Sequence, residues 1–190
     1  MAKTKPAPKT ETPAPDAKSV RVLLATYILA QLYKNKKASY DCFAYIKNHR
    51  LLYLTWLAYV ASAANFQIPN SNPLSTFEFY RCDKGPILEI SNQDVIDIHE
   101  NLAKKKNLTP AYNYAKQNLS SAELLRLNQA VELVRREFVK YDTYLLNAIT
   151  CETLVLTGRS ACFTSLDLSQ KNITDECRAF QELIKPEKTH

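Results

Sequence analysis

Glycine is the scarcest turn-former in this chain, with only Gly85 and Gly158 among 190 residues. Two isolated glycines cannot form a Gly-x-Gly-x-x-Gly turn, a Walker loop or a Gly-x-Ser-x-Gly elbow, which excludes the nucleotide cradles and serine elbows that need them. Paired cysteines are lacking too. Cys42, Cys82, Cys151, Cys162 and Cys177 are odd in number and widely scattered, a pattern of reduced thiols rather than of a disulfide framework. No two have Cys-x-x-Cys spacing, and His49, His99 and His190 form no His-x-x-x-His pair, so neither a metal nor a cofactor is expected. Cys42, Cys151 and Cys177 read as small core residues.

Long apolar runs are missing as well. The uncharged stretch from Leu51 to Phe77 is continuously apolar only to about Ala64, before Asn65, Gln67 and Pro69, whereas a membrane span needs about 20 apolar residues. Residues 2–19 are mostly Lys, Thr, Pro and Ala, with no secretory apolar region. A cytoplasmic protein that does not enter membranes is therefore expected. Charge of one sign is not in great excess: the net charge is +6, of which Lys3, Lys5, Lys9 and Lys18 against Glu11 and Asp16 place +2 near the N-terminus. The remainder is a weak electrostatic footprint for nucleic acid.

What is present is enough apolar material for one core, 46% of residues with 23% charged. Residues 1–18 carry Pro6, Pro8, Pro13 and Pro15 with too little apolar surface to order themselves, and read as a disordered tail before a single domain over 19–190. That domain is expected to be mainly α: one compact helical unit of about six to seven helices with a small two-stranded β element around residues 76–90.

The segments follow from periodicity and caps. Val20, Leu23, Leu24, Tyr27, Ile28 and Leu32 form a first amphipathic helix. A block opened by Ser39 or Asp41 leads into Leu51–Val60, apolar on every face and so the central helix. Asn65 to Ser75, with Pro69 and Pro73, reads as a loop. Phe77, Phe79 and Tyr80, then the Gly85-Pro86 turn with Ile87 and Leu88, read as an aromatic arm folded back on the helices.

In the second half, Ser91 with Asp94 and Ser120 with Glu123 are helix starts, each with a hydrophobic staple (Ile90/Val95 and Leu119/Leu124). Asp142 opens another helix and Asn172 the last, striped by Ile173, Cys177, Phe180 and Ile184. Thr109-Pro110 begins a short helix. Leu124, Leu127, Val131, Val134 and Phe138 form a stripe read as core packing rather than a coiled-coil seam. The carboxylate pairs Asp94/Asp97 and Asp175/Glu176 lie near helix starts, where acidic groups complement the dipole, and are read as structural. Lys104-Lys105-Lys106 form a basic patch, with Tyr112 and Tyr114 shortly after. Phosphate contact with base stacking is one reading, and a solvated helix C-terminus suited to the dipole is the preferred one. Arg135, Arg136 and Lys140 form a weaker patch with the same alternatives.

The order of these segments resembles a divergent member of the Panacea, or SocA-like antitoxin, family over about residues 20–185. The opening helix Val20–Tyr33 is followed by Arg50-Leu51-Leu52-Tyr53-Leu54, similar to the family's Lys-Leu-Leu-Tyr core helix. Pro73-Leu74 precedes Phe77-Glu78-Phe79-Tyr80, and Lys84-Gly85-Pro86-Ile87 stands where the family has Tyr-Gly-Pro-Val. Leu119-Ser120-Ser121-Ala122-Glu123 resembles a Leu-Ser-Glu-Glu-Glu helix start, and Tyr141–Leu146 the opening of the helix after it.

The resemblance implies a non-enzymatic antitoxin-like protein of a toxin–antitoxin system, neutralising a cognate toxin by direct contact. The alternative is a mobile-element or phage-encoded regulatory or inhibitor protein acting on a host protein or nucleic-acid complex. The expected partner-binding surface is Phe79, Tyr80, Lys84, Gly85 and Pro86, with core burial the competing fate of Phe79. Residues 1–18 lack the apolar anchors that dominate interfaces, so binding is expected on the folded domain.

Overall fold

The computed structural model describes residues 16–34, 44–66, 74–83 and 85–185. Among these lie eight α-helices, one π-helical turn and three short strands, a mainly α fold built around one buried helix. That helix, α2 (Ala44–Phe66), packs against α1 (Ala17–Leu32), α5 (Ser121–Glu137), α6 (Thr143–Ala148), α8 (Gln170–Leu183) and β2 (Gly85–Leu88). Every residue from Leu51 to Ala63 is buried, as a helix apolar on all faces requires. Inside it, Thr55 Oγ1 donates to the Leu51 carbonyl at 2.8 Å, whereas the buried Trp56 Nε1 has no hydrogen-bond partner.

The caps read from sequence form. Ser91 caps α3 (Asn92–Lys104) and Ser120 caps α5, each with a complete capping box through Asp94 and Glu123. Asp142 accepts from the Leu145 amide at the start of α6, and α4 (Thr109–Asn118) begins with Pro110 in its first turn. Leu127, Val131, Val134 and Phe138 are buried, so the stripe of α5 is core, seamed against α2.

Three boundaries differ from expectation. The first helix starts at Ala17, capped by Asp16, which accepts from the Ser19 amide at 2.7 Å, so Ala17 and Lys18 belong to the helix and not to the tail. The last helix starts at Gln170 after Ser169, and Asn172 instead donates to Asp167. Asn65, the expected start of a loop, is helical, since α2 runs to Phe66. The expected tail over residues 1–15, the starts at Ser39 or Asp41, Cys42, and Pro69 and Pro73 fall outside the described residues.

The aromatic arm forms the expected two strands, and a third strand from residues 164–165 extends them into a three-stranded sheet. β1 (Phe79–Cys82) pairs antiparallel with β2, Phe79 opposite Leu88 and Cys82 opposite Gly85. On its other side it pairs with β3 (Thr164–Ser165), Tyr80 opposite Ser165 and Arg81 opposite Thr164, giving the order β2-β1-β3. Gly85 makes the reversal possible at φ +105, and the hypothetical Cβ there would lie 2.6 Å from Tyr53 Cε1. Only glycine combines that backbone with that approach. Behind it, Cys151 in the π-turn (Ile149–Thr153) and Asn147 close the contact, Asn147 Nδ2 donating to the Tyr53 hydroxyl at 3.1 Å.

No described helix is long and apolar enough to cross a membrane. Among the described residues no cluster of His, Cys, Asp and Glu is arranged to hold a metal.

Candidate functional site

The strand order places a groove and an exposed aromatic tip side by side on the β1–β3 half of the sheet. Alternation along β1 fixes which residues do what. Phe77 and Phe79 turn inward and are each 2% exposed, packing at 5.9 Å between ring centroids. Phe79 also meets Trp56 edge-on at 4.8 Å and Tyr59 at 5.2 Å. These rings are the floor of a groove of about 690 Å³. Tyr80 and Leu168 are half-buried on its walls, and Ser75, Glu78, Glu89 and Ser165 stand exposed at its rim. Its size is that of a pocket for a small molecule or a short peptide segment.

The rim is electrostatically organised around Arg21 of α1. Its side chain is only 10% exposed, and it pairs with Glu78 at 2.7 Å and Glu89 at 2.9 Å. Its Nε also donates to the Thr76 carbonyl at 2.9 Å, fastening α1 to the segment that leads into β1. Two carboxyl groups thus share one guanidinium. A hydrogen bond between the two carboxyl groups raises the Glu78 pKa, and the same bond lowers that of Glu89. Below the floor, burial pushes the Tyr59 phenol far above its ordinary value, with the Cys177 thiol adding to the effect.

Beside the groove, the turn before β3 carries Phe163 at φ +62 with 78% of its surface exposed. A bulky residue in the left-handed region is an outlier that costs about 1–3 kcal/mol. The turn is held from below. Arg81 Nη1 donates to the carbonyls of Thr157 and, at 2.9 Å, Ser160, while the Phe163 amide donates to the Arg81 carbonyl at 2.6 Å. Thr164 Oγ1 closes the loop on the Ala161 carbonyl at 2.6 Å. The polar framework therefore fixes the backbone at Phe163, whose ring stands in solvent.

The residues singled out from sequence divide. Tyr80 lines the groove. Phe79 is a floor residue rather than a surface anchor, because its strand face is the one that meets α2. Gly85 and Pro86 are buried where β2 packs on α2, so they shape the arm without presenting a surface, and Lys84 lies outside the described residues. Lys104, Lys105 and Lys106 are exposed at the end of α3, Lys104 pairing with Glu100 at 2.6 Å and Lys105 in the left-handed region as the cap. Tyr112, the stacking ring suggested for that patch, is half-buried and packs edge-on against Tyr27 at 5.4 Å. Arg135 and Arg136 are paired with Glu132 and Glu137.

Two features escaped the sequence reading. Phe163 sits in a loop, where periodicity carries no information about exposure. Glu176 is completely buried on α8, its Oε2 accepting from the Leu156 amide at 2.5 Å at the start of the short helix α7 (Val155–Arg159). Its Oε1 has no hydrogen-bond partner, and burial raises the carboxyl to about 7. Its neighbour Cys177 is pushed up to about 12, mainly by burial and further by Glu176.

Scans against protein-family models, against characterised proteins and against solved structures return no match.

Proposed function

We propose that this protein is a non-enzymatic, antitoxin-like protein of a toxin–antitoxin system that neutralises a cognate toxin in the cytoplasm by direct, stoichiometric contact. The observation that supports a protein-binding role is Phe163, an exposed aromatic on a strained backbone that bonds from Arg81 and Thr164 hold in place. Exposed aromatics on a rigid turn are the side chains that supply most of the energy when a partner covers them. The adjoining groove adds half-buried Tyr80 and Leu168, giving an apolar patch rimmed by carboxylates and hydroxyls. That is the anatomy of an interface, an apolar centre inside a polar rim. The finer reading, that the partner is a toxin, is supported by the order of segments from the opening helix through Arg50–Leu54, Lys84–Ile87 and Leu119–Glu123.

Co-expression with the product of the adjacent reading frame tests it. The expected result is a stoichiometric complex and relief of growth arrest caused by that product alone. Growth arrest that persists, with no complex recovered, overturns the antitoxin role. A complex with a host protein instead would place the protein among mobile-element inhibitors.

A further inference from the structure

We propose that Glu176 is the latch of a pH-operated switch: loss of the proton from its buried carboxyl releases the short helix α7 from α8 and, through Arg81, frees the turn that carries Phe163. The released helix is clamped at both ends. At its start the Leu156 amide donates to Glu176 Oε2 at 2.5 Å, and at its far end Arg81 Nη1 donates to the carbonyls of Thr157 and, at 2.9 Å, Ser160. The Arg81 backbone carbonyl in turn accepts from the Phe163 amide at 2.6 Å. One chain of bonds thus runs from a carboxyl on α8 to the exposed aromatic tip. With only five residues, α7 is far too short to persist by propensity and depends on these clamps. A further tie is Thr157 Oγ1, which donates to the Thr150 carbonyl of the π-turn. Arg81 Nε is buried without a hydrogen-bond partner, so the guanidinium is held through Nη1 and loses its anchor when α7 moves.

The surroundings of Glu176 suit a neutral carboxyl and not an ion. Its side chain is fully buried, and Oε1 has no hydrogen-bond partner. One amide at Oε2 does not compensate a carboxylate taken out of water. The neighbouring groups supply no countercharge. On α8 itself, Cys177 is pushed up to about 12 and donates to the Val60 carbonyl at 3.7 Å, while Asp175 pairs with exposed Arg178 at 3.1 Å. From Leu51 to Ala63, α2 carries no charged residue, and burial pushes its Tyr59 phenol upward. Contact between α5 and α8 is ring to ring, Phe138 with Phe180 at 5.8 Å. Arg159 of α7 and Glu152 of the π-turn are exposed to solvent. Burial therefore outweighs the Leu156 amide and raises the carboxyl from 4.5 to about 7. Once α7 has opened, the carboxyl is solvated and its ordinary value returns. The closed arrangement binds more protons, so opening becomes easier as pH rises from about 4.5 to about 7 and no easier above. The tip is rigid on the acid side of this range and loosened on the alkaline side.

Amide exchange of the full-length parent and of Glu176→Gln, resolved by residue from pH 5 to pH 8 and corrected for intrinsic rates, tests the switch. It needs no partner, so its outcome is separate from that of the antitoxin reading. In the parent, protection of the Leu156, Gly158, Ser160 and Phe163 amides is expected to fall together by at least about tenfold over that range. At pH 8 it should also lie at least about tenfold below that of Leu57 and Ala58 in α2, which marks a local opening. In Glu176→Gln the same four amides should change by less than about twofold, because nothing there titrates. The Glu176 carboxyl carbon resonance of the parent is the second measurement, and protection should stop falling at the pH where this resonance reports the proton leaving. A parent-like slope in the variant overturns the inference, and so does protection that levels off at an unrelated pH. Protection of α7 equal to that of α2 at every pH overturns the local opening, and a Phe163 amide that ignores α7 overturns its coupling to the tip.

Discussion

Glu176 shows how much a single side chain can contribute to the pH behaviour of this molecule. A carboxyl raised from 4.5 to about 7 by burial holds a proton in the folded chain over a range where the unfolded chain has released it. Stability therefore declines as pH rises from about 4.5 to about 7 and is level above. Glu176→Gln keeps an oxygen for the Leu156 amide and removes the ionisation. The variant should be more stable than the parent at pH 8 by on the order of 2 kcal/mol, with the difference vanishing near pH 4. Urea midpoints at the two pH values measure this, and parallel pH profiles would remove Glu176 from the account. Gly85 is the other decisive residue. Gly85→Val must adopt φ +105 and displace Tyr53 from the core, and should cost about 3 kcal/mol. A melting temperature equal to the parent's would contradict the turn geometry.

At the scale of elements, local chemistry decided most of the fold. The capping box of Ser120 is written within four residues, and its bonds form as read, Ser120 accepting from the Glu123 amide at 3.3 Å and Glu123 from the Ser120 amide at 2.8 Å. Ser120→Ala should lower stability by about 1 kcal/mol with no change in denaturant slope, and an unchanged midpoint would show that the cap is dispensable. The central helix was equally legible, since thirteen consecutive buried residues leave no polar face to read. The elements that were not legible depend on distant partners. Thr164 and Ser165 are a strand only because β1, some eighty residues earlier, offers Phe79 and Arg81 carbonyls to the Leu166 and Phe163 amides. Glu176 was read as a dipole acid near a helix start. Burial of that position is decided by α7 and by α2, whose Val60 carbonyl accepts from the adjacent Cys177 thiol at 3.7 Å, and no spacing rule within α8 reveals it.

At the scale of the whole molecule, the sheet and the helices meet through Arg21 and Arg81, and both arginines serve the same surface. Arg21 ties α1 to the rim of the groove, and Arg81 holds up the turn that carries Phe163. The sequence singles out the aromatic arm, and Phe79, which it offers as an anchor, lies on the inward face. Strand alternation buries Phe79 and leaves exposure to a residue brought alongside by β3. Arg81→Ala should leave the helical core folded while loosening the Ala161–Phe163 turn, which amide exchange at Phe163 would reveal as at least about tenfold faster. Retained protection there would show that the backbone ladder alone fixes the tip. The most direct test of the central claim is the affinity of Phe163→Ser for the protein that co-purifies with the parent chain. Because Phe163 is exposed, the substitution should leave the melting temperature at or above the parent's and weaken binding by at least about 2 kcal/mol, roughly thirtyfold. An affinity equal to the parent's would contradict the claim that this tip is the partner-binding anchor.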